Sequence, residues 1–131
     1  AQYSSAERLP GALGGIVAYD NRLKRDLLGV SDEILSRHGA VSAETAAAMA
    51  QGLRGAVGAD VGVSVTGVAG PGGGTPEKPV GLVYLHASTP GAEEAMELHL
   101  PGDRAAVRRR AAASALHLLR RVLAQSRHAR A

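Results

Sequence analysis

Apolar and polar positions change period along the chain, and the changes mark the elements. Gly14-Gly15-Ile16-Val17-Ala18-Tyr19 is a short apolar run bounded by glycine, which predicts a buried strand. Asn21 is placed to cap a short helix through Leu28, with Gly29 as its stop. Ser31 caps a second helix from Asp32 to about His38, with two acids in its first turn and Gly39 closing it. Ser42 caps a third, in which Ala46, Met49, Ala50, Leu53 and Val57 fall on one face. The β-branched run Val61 to Thr66 predicts a central strand, Val80 to Ala87 a second, and Ala95 to Leu100 a hairpin partner across Gly91. Asp103 caps a long last helix with an apolar stripe of Val107, Ala111, Ala115, Leu118, Leu119 and Val122. This alternation implies an α/β fold, a three-layer sandwich in which helices flank a mixed, mostly parallel sheet. There is no internal repeat and no clear linker, so residues 1–131 are read as one domain.

Composition narrows the chemistry. The chain lacks Phe, Trp and Cys. Its core must therefore be built from Val, Leu, Ile and Ala, and a disulfide scaffold, a thiolate metal site and a Cys nucleophile are excluded. No apolar run approaches the roughly 20 residues a membrane helix needs, and no signal-like start is present, so no membrane is expected and a cytoplasmic setting is. The five histidines show no HxxxH or HxH spacing, so no metal and no other cofactor is expected. All 12 acids lie at or before Asp103, whereas residues 104–131 carry eight arginines. That segment reads as a solvated helix face with cations suited to the helix dipole. No aromatic side chain interleaves the arginines to stack bases, so nucleic acid is not the expected partner.

Gly67 to Pro79 is too rich in Gly and Pro for a regular element and follows a strand directly. Ligands of open α/β sheets bind at the carboxyl ends of strands, and glycine-rich turns let backbone N–H groups approach an anion. Thr66 adds a hydroxyl at the strand tip. The loop is neither a Walker A motif nor a GxGxxG turn, and an oxyanion cradle and a merely structural turn both remain open. Tyr19 and Lys24 share the next candidate position. A lysine half-buried at a strand end has a lowered pKa and serves as a base, while the plainer reading is a packed ring and a solvated amine. Lys78, between Glu77 and Pro79, reads as a loop charge. Arg104 starts the last helix and suits either a phosphate or a salt bridge.

The segments Gly14-Gly-Ile-Val-Ala-Tyr-Asp-Asn21, Leu27-Leu-Gly-Val30, His38-Gly-Ala-Val-Ser42, Val65-Thr-Gly-Val-Ala-Gly-Pro-Gly-Gly-Gly74, Pro76-Glu-Lys-Pro-Val-Gly81 and Gly102-Asp-Arg104 occur in this order. Together they resemble the C-terminal domain of the competence/damage-inducible protein CinA, a family that includes nicotinamide mononucleotide deamidases. The resemblance runs from residue 14 to about 123. It implies a metal-free serine–lysine amidohydrolase converting nicotinamide mononucleotide to nicotinate mononucleotide and ammonia, a step in pyridine nucleotide recycling. Lys24 would match the base, Tyr19 a residue orienting that base or the amide, and Thr66 a catalytic position that contacts the substrate and polarises the reacting carbonyl. Asn21, Gly67, Ala69, Gly70 and Arg104 would match substrate-binding positions, with Arg104 on the phosphate. The family's AES-type serine has no match, since Ala6-Glu7 is followed by Arg8, and Leu9-Pro-Gly-Ala12 runs straight into Leu13-Gly-Gly15. The expectation is a single domain lacking its first helix and nucleophile turn, with no nucleophilic serine visible in the sequence; nothing positions Ser4 or Ser5 to stand in for it. The alternative is an inactive nucleotide-binding or regulatory module of the same fold. A homodimer or larger assembly is expected.

Overall fold

The computed structural model describes residues 14–129, with the side chains of residues 14–125. Elements follow the order α1 (Asn21–Leu28), α2 (Asp32–His38), α3 (Ala43–Val57), β1 (Gly62–Gly67), β2 (Leu82–Ser88), β3 (Glu93–His99) and α4 (Arg104–Ala129). The caps follow hydrogen-bonding chemistry. The Ser31 and Ser42 hydroxyls accept from Ile34 N and Thr45 N, and the Asp103 carboxylate accepts from Ala106 N at 2.9 Å. At α1 the cap is Asp20 rather than Asn21. The Asp20 carboxylate reaches the N–H of Arg22 at 2.9 Å, and Asn21 becomes the first helical residue. Gly29 ends this helix in the left-handed region, and Val30 N donates back to Lys24 O.

Two expectations are corrected. Residues 14–19 form no strand: Val17 and Tyr19 are 75% and 85% exposed, and the run pairs with no ladder among the described residues. A strand exists only through a partner edge, and this run shares a groove with β1 without bonding to it. The sheet is also not mostly parallel. Its order is β1-β2-β3, and both pairings are antiparallel, Thr66 opposite Tyr84 and Leu85 opposite Met96. Parallel neighbours require a crossover element, but a helix-free loop joins β1 to β2 and a short turn joins β2 to β3.

Alternation along the strands divides the sheet into two faces. Val63, Val83, Leu85, Ala87, Met96 and Leu98 pack with Val107, Ala111, Leu118 and Val122 of α4. On the opposite face Ser64 donates to Ala46 O at 2.5 Å, and Arg54 Nη1 donates to Ser88 Oγ at 3.1 Å, so α3 covers this side. Helix α1 lies against α3 with no side chain between the two backbones at Gly52. A Cβ at that position would sit 1.6 Å from Leu28 O. Glycine inside a helix costs about 1 kcal/mol relative to alanine, and here that cost permits the contact that places Lys24. No helix among the described residues is long and apolar enough to cross a membrane.

Candidate functional site

A groove of about 620 Å3 runs between residues 16–19, α1, the α2–α3 linker and β1. Its apolar wall includes Ile16, Met49, Leu53, Val63 and Val65. Tyr19, Lys24, Thr66, Gly67, Ala69 and Arg104 line it as well. Six of the eight sequence-predicted residues therefore meet in one cavity, drawn from four separate segments. The volume falls within the range of small-molecule sites, and so does the combination of an apolar wall with a few convergent polar groups.

Lys24 is the buried cation of the groove, 6% exposed. It sits one turn into α1, on the face turned towards α3, and its Nζ donates to Ala18 O at 3.0 Å. Loss of solvent pushes its pKa below the ordinary lysine value, and the Asp20 carboxylate one turn earlier offsets part of that shift. The amine is thus nearer to neutral than a surface lysine while retaining a fixed orientation.

The Thr66 hydroxyl is already engaged. It donates to Ala40 O at 2.7 Å, so its hydrogen is directed at the α2–α3 linker and not at a ligand. Arg104, exposed at the first turn of α4, donates from Nη1 to Gly70 O at 3.1 Å and from Nη2 to Tyr19 Oη at 3.4 Å. It links the glycine loop to the exposed Tyr19 ring. Gly70 itself stands behind the groove and contributes that carbonyl. Asn21 is exposed at the start of α1 and is not part of the lining.

Sequence reasoning missed Ala40 and Val41, which form a wall of the groove, and assigned Met49 and Leu53 only to a core face. A helix face that packs and a helix face that lines a cavity have the same periodicity, so only Met49 and Leu53 carried any signal. Among the described residues no three His, Asp or Glu side chains gather closely enough to hold a metal ion. Ser4, Ser5 and the segment 9–12 lie outside the described residues. Ser64 is the one described serine lining the groove, and its hydroxyl is bonded to α3.

An α/β domain with a lysine-bearing groove along an edge strand is the class these features define. The family model described as CinA C-terminal domain matches residues 9–123. The chain belongs to the CinA C-terminal domain family. It is 54% identical over 109 residues to a "CinA-like protein" of Kosmotoga olearia, covering 83% of this chain and 26% of that protein. The structure of competence/damage inducible protein CihA from Agrobacterium tumefaciens superposes with a TM-score of 0.76 at 42% identity, covering 78% of this chain and 63% of that one. Competence damage-inducible protein A (ComA) from Klebsiella pneumoniae gives 0.76 at 34% identity, over 81% and 66% of the two chains. The chain thus spans about a quarter of the length of the first of these relatives and about two thirds of the two solved chains.

Proposed function

We propose that this domain forms the lysine side of an amidohydrolase site acting on nicotinamide mononucleotide, releasing ammonia and leaving nicotinate mononucleotide. The observation that carries the reading is Lys24: a buried amine with a lowered pKa, held in place over an apolar groove of suitable size. A neutral amine takes a proton from an attacking hydroxyl and returns it to the departing nitrogen, which is general base and then general acid catalysis. Arg104, with free donors at the first turn of α4, takes the nucleotide phosphate, and Tyr19 fixes its guanidinium. Thr66 and Gly67 hold the wall against which the amide lies. In the overall reaction a water adds across the C–N bond, and the products are a carboxylate and ammonium. Ser64, the one serine lining the groove among the described residues, is bonded to α3, so on this reading the nucleophilic serine is supplied from elsewhere. A cytoplasmic homodimer or larger assembly goes with this reading.

That position of Ser64 also favours a second reading, in which the same groove binds a mononucleotide without turning it over. The two separate on one experiment, ammonia release and nucleotide binding measured together in the wild type and in Lys24→Met. The hydrolase reading predicts release that falls by at least about 100-fold in the variant while binding changes little. Saturable binding with no ammonia from the wild type would establish the second reading, and undiminished release from Lys24→Met would remove Lys24 from the mechanism.

A further inference from the structure

The linker between α2 and α3 has an unusual run of acceptors. Three consecutive carbonyls each take a hydrogen bond from a side chain of a different part of the chain. His38 O accepts from Lys78 Nζ. Gly39 O accepts from Ser42 Oγ at 3.1 Å and Thr45 Oγ1 at 2.7 Å, both at the start of α3. Ala40 O accepts from Thr66 Oγ1 at the tip of β1. Ala40 and its neighbour Val41 are groove wall.

Lys78 is the distant member, 40 residues along the chain from His38. Its backbone is fixed by a tight turn in which Thr75 N donates to Lys78 O at 2.9 Å and Lys78 N donates to Thr75 Oγ1 at 3.0 Å. Pro76 and Pro79 stiffen the same turn. The ammonium seats against Gly39, where φ is +78° and a Cβ would stand 2.8 Å from Nζ. It meets α2 at its C-terminal end, where the helix carbonyls favour a cation. The ends of the loop from Val68 to Gly81 are closed by Val68 N to Leu82 O and Gly81 N to Val68 O. Between those ends, two side-chain bonds tie it to the rest of the fold: Arg104 to Gly70 O and Lys78 to His38 O.

We propose that Lys78 is a positioning residue that moors the glycine-rich loop to the α2–α3 linker, so that loop, linker and Thr66 hold the groove wall as one unit. It touches no ligand and acts through residues 38–40. Its bearing on nucleotide affinity rests on the proposed function; the mooring itself does not.

Hydrogen–deuterium exchange of the wild type, Lys78→Met and Lys78→Arg tests this directly. Lys78→Met keeps the aliphatic stem and removes the cation. The expected result is exchange about tenfold faster in both residues 68–81 and residues 39–42, with the β2 and β3 amides unchanged. Lys78→Arg, which keeps a charged donor, is expected to stay near the wild type. Faster exchange in the loop alone, or in neither segment, would overturn the proposal, as would global loosening in Lys78→Met that includes β2 and β3. Nicotinamide mononucleotide titrated into the same samples is expected to bind Lys78→Met about tenfold more weakly. If the wild type fails to bind it, the functional reading falls and the exchange pattern still decides the role of Lys78.

Discussion

Against α4 the sheet presents Val63, Val83, Leu85, Ala87, Met96 and Leu98; against α3 it presents Ser64, Thr66, Tyr84, His86 and Ser88. Both faces are covered by a helix, yet they are held by different forces. The α4 side is mainly close-packed aliphatic surface, where stability follows from area removed from water, with one directed contact at its margin, Arg121 Nη2 to Glu94 Oε1 at 2.6 Å. The α3 side is a set of directed bonds. Ser64 reaches Ala46 O, Arg54 reaches Ser88, Gln51 Nε2 reaches Glu93 Oε1 at 2.6 Å, and Thr66 reaches Ala40 O. Burial pushes the Glu93 carboxyl up, but hydrogen bonds from Ser88, Gln51 and His86 outweigh it and hold the group below its ordinary value. Ser64, Thr66 and Ser88 are satisfied here, while Arg54 Nε and His86 Nδ1 are buried without a partner among the described residues, so the bonded groups restrict how this side packs where an apolar face would admit several arrangements. The groove runs along the edge strand β1, where Thr66 joins the linker. The candidate groove thus draws Ser64 and Thr66 from the hydrogen-bonded face and Val63 and Val65 from the apolar one.

The comparison predicts unequal responses. Leu118 is fully buried in the α4 cluster, and Leu118→Ala is expected to cost about 2–5 kcal/mol in urea unfolding while leaving the groove intact. A loss below about 1 kcal/mol would mean that α4 is not the principal cover of the apolar face. Gly52→Ala is expected to cost less, about 1–3 kcal/mol, because α1 must move off α3 to accept the methyl group. That movement carries Lys24 with it, so activity or nucleotide affinity should fall in Gly52→Ala and hold in Leu118→Ala at temperatures where both are folded. Equal effects on function would erase the distinction between the two sides.

Much of this arrangement was legible in the sequence because it is locally encoded. Ser31, Ser42 and Asp103 cap as their chemistry requires, Gly29 stops α1, and the stripe from Val107 to Val122 packs with Ala115 and Leu119 at its margin. The three strands fall within two residues of their expected ends. Strand direction was not legible, since alternation is the same in parallel and antiparallel ladders and only the connections distinguish them. Residues 14–19 have a strand's composition without a strand's partner. For the candidate site, the sequence brought forward Lys24, Tyr19, Thr66, Gly67, Ala69 and Arg104, and these do converge. It could not show that the Thr66 hydroxyl turns to Ala40 or that Lys78 crosses to His38, because both bonds depend on how distant segments approach. Nothing in the sequence marked Gly52, whose reason lies in the backbone of another helix.

Lys24 connects structure to chemistry in this account, and its titration follows from its burial. With a pKa below the ordinary 10.5, the amine loses its proton in the fold before it does in the unfolded chain. Between those two values the unfolded state binds more protons, and folding stability gains from Lys24 as pH rises. The most direct measurement is the rate of ammonia release from nicotinamide mononucleotide as a function of pH. The rate is expected to climb with a midpoint below 10.5 as the Lys24 amine becomes neutral, and the climb to disappear in Lys24→Met. Release whose rising limb is the same in the variant, or no release from the wild type at any pH, would contradict that expectation.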